Sequence, residues 1–432
     1  MERWKPVAGF MGLMAVALGL LGLFEARGAG PEGAQVVGVY SLPPTPIRAL
    51  NPHLRQEDVD EALRRGWPVA DRPALGSGLF YLGNGRFLGL TDRGPNGDCP
   101  GGKFFPLPRF APVLLPFRLD EATKTIRLEA PLPLRTPGGA PLTGLPNREG
   151  EDVPFASAEC KEKLPLDPSG VDTEDVAAFP DGRGYLLVEE NSPSVLFADA
   201  RGRVLVRYTP KGVRLPARYP VRDILPEVLA LRRNNRGLEN LALSGDGKTA
   251  WAVLQSPIGS TRDPAFDGSL VARAVRLDVS DPLRARVTGL YLVPFSDPKD
   301  YPKPNRPRDM KFSAASWVEG EKILLLERAE GGARIYLVDF SRATNLLDHP
   351  KGDSPELDKA GTDYAALGIR LPERRLLLDT WRHPAFDTDK LEGVVLLEDG
   401  RTLALADDND FAITGKEGPS RLWLVRLPEA LR

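Results

Sequence analysis

The stretch "NNRGLENLALSGDGKTAWAVLQSP", residues 234–257, contains two apolar runs joined by the turn dipeptide Asp246-Gly247. Two short apolar runs on either side of Asp-Gly are a strong local signal for a β-hairpin. Glu239 opens the first run and Gln255 closes the second. Polar side chains therefore stand at the open end of a hairpin that is otherwise suited to burial, which indicates that this end has a use other than packing.

Four more stretches share this layout, and a repeated unit of this kind is the sequence signature of a repeat architecture. They start at Ser77, Glu174, Ser313 and Glu392 and are "SGLFYLGNGRFLGLTDRG", "EDVAAFPDGRGYLLVEEN", "SAASWVEGEKILLLERAE" and "EGVVLLEDGRTLALADDN". Further strand-like runs follow each hairpin, and repeats of four short strands are typical of a β-propeller. We therefore predict an all-β propeller with five four-stranded blades. A degenerate sixth blade within 136–173 or 341–375 is the alternative.

The fifth repeat is one strand short, because only "RLWLVRL" (421–427) follows its hairpin. We predict that "AQVVGVYSLP" (34–43) supplies the missing strand and so closes the ring, which removes open sheet edges. The repeats extend over the whole of 31–432, which we therefore predict to be a single propeller domain.

Residues 1–30 are typical of an export signal. Arg3 and Lys5 precede an apolar run over 6–24, and small residues follow at 28–30. An uncleaved membrane anchor is the alternative, since the run is nearly long enough to span a bilayer. We predict a periplasmic or secreted protein that leaves the membrane once the signal is removed. In such a compartment two cysteines usually pair, so we predict a Cys99–Cys160 disulfide.

The bulk composition disfavours several classes of function. The chain has 57 Lys and Arg against 59 Asp and Glu, and this balance lacks the basic surface that nucleic-acid binding requires. Three histidines and two cysteines, widely scattered, make a zinc site improbable. No G-x-S-x-G motif occurs, which disfavours a serine hydrolase of the common type. We expect a monomer that acts on a small molecule.

In a propeller the open ends of all hairpins face one central opening. The polar side chains expected there are Asp92, Arg93, Glu174, Glu189, Glu190, Arg236, Glu239, Gln255, Glu327, Arg328, Glu392, Asp407 and Asp408. A two-residue turn at Asp181-Gly182 would place Glu174 directly opposite Glu189, and the same spacing would place Glu392 opposite Asp407. Carboxylates packed this closely raise one another's pKa, so a cation or several arginines must compensate them.

A metal ion is one such cation. "ADDNDF" (406–411) supplies four oxygen-bearing side chains in succession, and hard oxygen ligands favour Ca²⁺, with Mg²⁺ as the alternative. The predicted ligands are Asp92, Glu174, Glu189, Glu327, Glu392, Asp407, Asp408 and Asp410. The competing interpretation is structural, because acids at strand ends also hydrogen-bond neighbouring backbones and hold blades together.

Five stretches resemble the phytase-like family, whose members are described by the esterase-like activity of phytase. They are "LTDRGPNG" (90–97), "EDVAAFPDGRGYLLVEENSPSVL" (174–196), the opening stretch, "ILLLERAEGGARIYLVDF" (323–340) and "LEGVVLLEDGRTLALADDNDF" (391–411). The resemblance implies an exported propeller that hydrolyses phosphate or carboxylic esters, and calcium is suggested by propeller phytases more broadly. The site that it implies consists of Asp92, Arg93, Glu190, Arg236, Glu239, Gln255, Glu327, Arg328, Glu392, Asp408 and Asp410.

We predict roles for these residues from their chemistry. The catalytic candidates are Glu190, Glu239, Arg236, Arg93 and Arg328, with Glu190 activating water and the arginines binding phosphate oxygens. The substrate-binding candidates are Gln255, Asn409 and His383. Two other functions remain open: a carboxylic esterase or lactonase on the same metal centre, and a non-catalytic propeller that binds a partner or polymer.

Overall fold

Five blades surround one axis in the computed structural model, which describes residues 33–150 and 152–432. The predicted signal peptide, 1–30, lies outside the described residues. The five innermost strands contact one another in a closed ring, first with second and so on until the fifth meets the first. The fold is therefore the predicted five-bladed β-propeller. Both stretches considered for a sixth blade form connections and short strands of other sheets instead.

The N-terminal part of the described chain contains the first blade and its excursions. The elements are β1 (Gln35–Ser41), α1 (Ile47–Leu50), α2 (Gln56–Arg64), β2 (Gly78–Gly83), β3 (Arg86–Leu90), β4 (Gly97–Cys99), β5 (Gly102–Phe104), β6 (Val113–Asp120), β7 (Thr125–Leu128), β8 (Leu132–Pro133) and β9 (Pro154–Phe155). Blade 1 has the order β2-β3-β6-β7, and a small separate sheet has the order β4-β5-β9.

Blades 2, 3 and 4 follow in chain order, each with its strands adjacent in sequence. Blade 2 contains β10 (Thr173–Ala178), β11 (Gly184–Glu189), β12 (Ser194–Asp199), β13 (Val204–Pro210) and an added parallel strand, β14 (Val221–Leu225). Blade 3 contains β15 (Leu238–Leu243), β16 (Thr249–Leu254), β17 (Val271–Asp278) and β18 (Arg286–Pro294), with the short helix α3 (Pro264–Asp267) between β16 and β17. Blade 4 contains β19 (Lys311–Glu319), β20 (Lys322–Ala329), β21 (Gly332–Asp339) and β22 (Glu373–Asp379).

Blade 5 is completed by the N-terminal strand, as predicted. It contains β23 (Leu391–Leu396), β24 (Thr402–Asp407), β25 (Arg421–Arg426) and then β1, which pairs antiparallel with β25. Strand β1 also meets β7 at Ser41 and Thr125, so blades 1 and 5 share one continuous sheet. Short 3₁₀ turns lie in the connections, at Glu227–Leu231, Pro298–Asp300, Pro307–Asp309, Leu346–Asp348, Pro355–Asp358, Thr380–Arg382 and Asp410–Ala412.

The apolar residues of the strands pack between neighbouring blades. The largest continuous cluster joins blades 2, 3 and 4 and includes Trp251, whose side chain is fully buried. The tight turns that end the inner hairpins are made by glycines with left-handed backbone, such as Gly247 (φ 68°) and Gly400 (φ 64°). This conformation is strained for other residues and costs glycine nothing, which explains the Asp-Gly signal in the sequence.

The ring of five inner strands is narrow, and polar side chains hold it together on the axis. A Cβ atom on Gly78 would lie 2.8 Å from the Cα atom of Asp175, so only glycine fits at this closest approach. Asp175 Oδ2 accepts a hydrogen bond from the backbone N–H of Leu241 at 2.8 Å. Asn240 Nδ2 donates to the carbonyl oxygen of Phe312 at 3.1 Å. Blades 2, 3 and 4 are thus joined below the central opening.

A β-bulge at one equivalent position of the inner strand corrects the predicted pairing. Thr173, not Glu174, lies opposite Glu189, and Leu391, not Glu392, lies opposite Asp407. The register shifts in blades 3 and 4 fall at the matching place. A bulge inserts one unpaired residue and turns its side chain away from the regular alternation. The prediction of facing acid pairs was therefore wrong, and the bulged residues are directed towards the axis instead.

The predicted Cys99–Cys160 disulfide is present, with the two Cα atoms 5.9 Å apart. It joins the β4–β5 hairpin to the segment that follows β9. None of the helices in the described part of the chain has the length and apolar composition that crossing a bilayer requires.

Candidate active site

A cavity of about 140 Å³ lies where the open ends of the five hairpins meet. We call it the central cavity. Its lining is Asp92, Arg93, Asn96, Lys103, Glu174, Glu190, Asn235, Glu239, Gln255, Lys311, Arg328, Lys390, Glu392, Asp408 and Asp410. Every lining residue carries a polar or charged group, so this cavity is suited to a small, highly polar ligand.

Two positions of each blade build the cavity. The first is the bulged residue of the inner strand in blades 2 to 5, which is Glu174, Glu239, Ser313 or Glu392. In blade 1 the corresponding residue is Ser77, directly before β2. The second is a residue near the C-terminal end of the second strand of each blade. These residues are Asp92, Glu190, Gln255, Arg328 and Asp408. In blades 1 and 4 the first position is a serine that supports a charged neighbour. Ser77 Oγ donates to Asp408 Oδ2 at 2.5 Å, and Ser313 Oγ accepts from Arg328 Nε at 2.6 Å.

The carboxylates concentrate on the side of blade 2. Asp172, Glu174 and Glu190 each place one carboxylate oxygen within 4.8 Å of the others, and all three residues are buried. Burial raises the pKa of Glu174 well above its usual value, and the nearby carboxylates of Glu239 and Asp172 raise it further. Burial and Asp172 likewise raise the pKa of Glu190 to about 7. The spacing of these three carboxylate oxygens fits a divalent cation.

Arg93 is the main cation built into this cluster. Its Nε atom lies 3.0 Å from Asp172 Oδ2, and its terminal nitrogens lie 3.4 Å from Asp152 and 3.7 Å from Glu190. Burial opposes its charge, but Asp172, Glu190 and Asp152 together raise the pKa of Arg93 above its usual value. Asn235 accepts a further hydrogen bond from Arg93. The guanidinium is therefore fully engaged with the protein.

Cations from blades 4 and 5 form the other side of the cavity. Arg328 donates to Glu392, and Lys390 donates to Asp410. Lys311 lines the same cavity, and its ammonium group makes no hydrogen bond or ion pair with any described residue. The positive charge of Arg328, followed by burial, lowers the pKa of Lys311 to about 7.

Arg236 lies at the edge of the central cavity rather than in its lining. Its Nη1 atom is buried and has no hydrogen-bond partner among the described residues. Burial lowers the pKa of Arg236, and the neighbouring carboxylates of Glu190 and Glu239 partly oppose this effect. The guanidinium is therefore close to the acids without being neutralised by a contact ion pair.

Glu239 has one engaged and one unengaged carboxylate oxygen. Gln255 Nε2 donates to Glu239 Oε1 at 2.6 Å and to Glu190 Oε1 at 3.3 Å. Glu239 Oε2 is buried and finds no hydrogen-bond donor within the described chain. Burial, Glu190 and Glu392 raise the pKa of Glu239 well above its usual value. An acid held by one oxygen, with its pKa raised, is suited to transferring a proton.

Three predicted metal ligands do not reach the cavity. Each directly precedes a residue that does, and successive side chains of a strand point to opposite faces. These three ligands are Glu189, Glu327 and Asp407, and the structure gives each a structural partner. Glu189 accepts from the backbone N–H of Ser192 at 2.9 Å, Glu327 from that of Ser296 at 3.0 Å, and Asp407 from that of Arg421 at 2.5 Å.

The four oxygen-bearing residues of 407–410 do not converge on one point either. Asp408 faces the cavity, where burial raises its pKa to about 7, whereas Asn409 donates to the carbonyl of Gly418. The backbone is left-handed at three successive residues, 410–412, which turns the chain sharply. His383, a predicted substrate contact, packs edge-on against Phe386 and does not line the central cavity.

Sequence reasoning missed Asp172, Lys311 and Lys390, which all stand two residues before a bulged position. Charged residues at the same offset in three of five repeats were a signal that could have revealed them. The other missed residues, Asp152, Asn96, Lys103 and Asn235, come from connections that do not repeat. No pattern in the sequence places these residues at the axis.

Fold and site together define a propeller with a mixed cluster of buried acids and cations at its axis. A family model described as "Phytase-like: Esterase-like activity of phytase" matches residues 74–411, which is most of the chain. The chain therefore belongs to the phytase-like family.

Comparison with solved structures gives distant likenesses. The periplasmic gluconolactonase PpgL of Pseudomonas aeruginosa is 13% identical over 79% of this chain and 86% of that chain, with a TM-score of 0.30. A luciferin-regenerating enzyme is 11% identical over 83% and 93%, with a TM-score of 0.37. Hydrazine synthase of Kuenenia stuttgartiensis is 11% identical over 74% and 81%, with a TM-score of 0.31. Likenesses at this level say nothing about the chemistry of this chain. No curated protein matches it.

Proposed function

We propose that the protein is an exported hydrolase of small anionic esters, phosphate esters above all, that uses a divalent cation at the central cavity. The observation that supports this most directly is the division of the cavity. The buried acids Asp172, Glu174 and Glu190 lie on one side, while Arg236, and Lys311 when protonated, bring positive charge without a contact ion pair within the described chain. Acids in excess on one side fit a metal ion, and unneutralised cations fit an anionic substrate.

The three-acid group fits a hard divalent cation. Its donors are carboxylate oxygens, which Ca²⁺ and Mg²⁺ prefer, and both oxygens of Asp172 lack a hydrogen bond with good geometry. Burial, and after it the carboxylates of Glu239 and Asp172, raise the pKa of Glu174, which supports a site that a cation would stabilise. Asp172, Glu174 and Glu190 would hold the ion, with Ca²⁺ favoured. When bound, such an ion supplies Lewis acidity that polarises an ester oxygen and acidifies water.

The protein's own side chains supply binding and proton transfer. Arg236, Arg328 and Lys311 bind the anionic group of the ester, since guanidinium groups match phosphate oxygens in pairs. Glu239 is the proposed proton-transfer group because its second oxygen has no protein partner. Arg93, a predicted catalytic residue, is engaged by Asp172, and we propose that it positions the acid cluster.

Export and a monomeric state stay predictions. The disulfide fits a compartment outside the cytosol, where such bonds persist.

The test measures hydrolysis by purified protein of phytate, p-nitrophenyl phosphate and p-nitrophenyl acetate, each in EDTA and with added Ca²⁺ or Mg²⁺. We expect phosphate release that needs the cation. Glu239→Gln should lower kcat by about 10²-fold or more, the usual contribution of general acid–base catalysis. Glu57→Gln, an exposed acid on α2, is the control and should not change kcat.

Two results would contradict the proposal in different ways. Cation-dependent cleavage of the acetate ester without phosphate release would select the carboxylic esterase instead. No turnover of any ester, together with unchanged cation binding in Glu174→Gln, would favour the non-catalytic propeller.

A further inference from the structure

Gln255 is the one uncharged side chain among the five at the second position of the blades. The residues at this position in the other four blades are Asp92, Glu190, Arg328 and Asp408. The backbone of Gln255 is fixed between blades 3 and 4, since its N–H donates to the carbonyl of Gly237 at 2.9 Å and its carbonyl accepts from the N–H of Phe312 at 2.7 Å. An amide donates and accepts hydrogen bonds at once, which neither an ionised carboxylate nor a guanidinium does.

Two carboxylates fix the orientation of this amide. Gln255 Nε2 donates to Glu239 Oε1 at 2.6 Å and to Glu190 Oε1 at 3.3 Å. Only the nitrogen of the amide can face two carboxylate oxygens, because its oxygen would meet them acceptor to acceptor. Gln255 Oε1 is therefore the atom that remains for another group. It is buried and has no hydrogen-bond donor within the described part of the chain.

Glu239 provides a second acceptor of the same kind. Its Oε2 atom is buried and also lacks a donor among the described residues. Both side chains are more than nine-tenths buried, with 5% of Gln255 and 3% of Glu239 exposed. A buried acceptor without a donor costs about 1–3 kcal/mol. Two such acceptors, on hydrogen-bonded neighbours in the wall of one cavity, indicate a ligand that donates two hydrogen bonds.

Water fits these two acceptors better than the anionic group of an ester does. The oxygens of an ionised phosphate or carboxylate only accept hydrogen bonds, and the cations Lys311, Arg328 and Lys390 in the same cavity suit them. Water donates two hydrogen bonds and takes up little of a cavity of about 140 Å³. A water that donates both hydrogens to protein oxygens also keeps its lone pairs directed towards the ligand, as a nucleophile requires.

We propose that Gln255 Oε1 and Glu239 Oε2 together hold the water that attacks the ester, with Gln255 as a positioning residue. The inference rests on the proposed function for the ester. The oxygen of the water forms a bond to the phosphorus while the bond from phosphorus to the alcohol oxygen breaks. Glu239 Oε2 takes a proton of the water, and the alcohol oxygen leaves with the bonding electron pair and takes a proton from solvent. Gln255 occupies Glu239 Oε1, which leaves Oε2 to act as the base.

The first experiment locates the water without any turnover. Crystal structures of the wild type and of Gln255→Met are compared in EDTA and in Ca²⁺. We expect the wild type in EDTA to show a water within hydrogen-bond distance of both oxygens. Gln255→Met, which has a similar length but no amide, should lose it. A wild type without density between the two oxygens would overturn the inference. Density that appears only with Ca²⁺ and scatters anomalously would assign the two oxygens to a cation and overturn it as well.

The second experiment measures hydrolysis of p-nitrophenyl phosphate with the cation added. Gln255→Met should lower kcat about tenfold or more, as expected for a lost hydrogen bond that orients the water. KM and the inhibition constant of inorganic phosphate should stay within about twofold, because the anion binds to other side chains. Gln56→Met, at an exposed position of α2, is the matched control and should behave as the wild type does.

The outcomes separate this inference from the proposed function. An active wild type with an unchanged kcat in Gln255→Met, or with a change in KM alone, contradicts the inference only. A wild type that turns over no ester contradicts the proposed function and the attack with it. Gln255→Asn keeps the amide but is too short to reach both acids, so it should show the same loss of kcat. It replaces Gln255→Met if that variant does not fold.

Discussion

Arg93 Nε lies 3.0 Å from Asp172 Oδ2, so a buried cation of the first blade is fixed against the acid cluster of the second. Both side chains are almost fully buried, with 5% of Arg93 and none of Asp172 exposed. A buried charge that loses its partner costs far more than the pair contributes, because the remaining charge stays desolvated. The contact therefore joins two blades and also sets how much negative charge the cluster can hold.

Arg93→Met should destabilise the metal-free protein by about 3–5 kcal/mol, the range for breaking a buried ion pair. Arg93→Lys keeps the charge but not the forked geometry, so its loss should be smaller. Urea denaturation in EDTA gives the free energy of unfolding. A loss below about 1 kcal/mol in Arg93→Met would show that water or a protonated Asp172 already relieves the cluster.

The metal-free protein should lose stability as pH rises. Burial and nearby carboxylates raise the pKa of Glu190 and of Asp408 to about 7 in the folded protein. A raised carboxyl pKa favours the folded state fully below the unfolded value near 4, and this contribution is lost as pH rises through 7. For Glu190 alone the change is roughly 3 kcal/mol.

The measurement is the free energy of unfolding in EDTA from pH 4.5 to 8. This free energy should decrease less with pH in Glu190→Gln than in the wild type. Saturating Ca²⁺ should oppose this loss of stability. Binding to the folded state alone adds about 2.7 kcal/mol to the free energy of unfolding at a hundredfold excess over the dissociation constant. Stability that rises with pH over this range would mean that the acids are better compensated than their burial indicates.

Substitutions of Glu189 and Glu190, two adjacent residues at the end of β11, should have different effects on stability and on ion binding. Glu189 accepts hydrogen bonds from Ser192, Ser194 and Asn147, whereas Glu190 faces the cavity. Glu189→Gln should lower stability by about 2–3 kcal/mol, since hydrogen bonds to a buried charge are strong, and leave the dissociation constant for Ca²⁺ unchanged. Glu190→Gln should weaken Ca²⁺ at least tenfold without loss of metal-free stability. Calorimetry and urea melts measure both quantities, and equal effects on Ca²⁺ would contradict the division of roles.

The fold could be predicted because its determinants are local and repeated. Asp-Gly turns between apolar runs specify hairpins. The apolar composition of "AQVVGVYSLP" (34–43) is typical of a strand, and the fifth repeat is one strand short. The direction of individual acids could not be predicted in the same way. A bulge in β10 moved Glu174 out of its expected pairing with Glu189, and no residue type in the sequence predicts such a bulge.

The residues of the site could be predicted from the sequence only in part, because some of them lie outside the repeats. Glu174, Glu190, Glu239 and Arg328 belong to the repeats, so symmetry places them at the axis. Asp152 reaches Arg93 from a connection that occurs once. A second cavity, beside the central one, is lined from several separate segments, 230–234, 236, 259–261, 266, 308–309 and 355. Non-repeated connections obey no period, so their contacts appear only in three dimensions.

The Cys99–Cys160 disulfide should support one wall of the central cavity as well as the fold. It ties the β4–β5 hairpin, which brings Lys103 to the cavity, to the segment beyond Asp152. The bond closes a loop with a sequence separation of 61, and loss of such a constraint usually costs about 2–4 kcal/mol. Cys99→Ser/Cys160→Ser should therefore unfold at lower urea and bind inorganic phosphate more weakly in EDTA. Asp152→Asn is the companion variant, since it keeps the disulfide and removes the charge that Arg93 and Asn234 contact. Lower stability with unchanged phosphate affinity in the double cysteine variant would show that the wall is ordered without the disulfide.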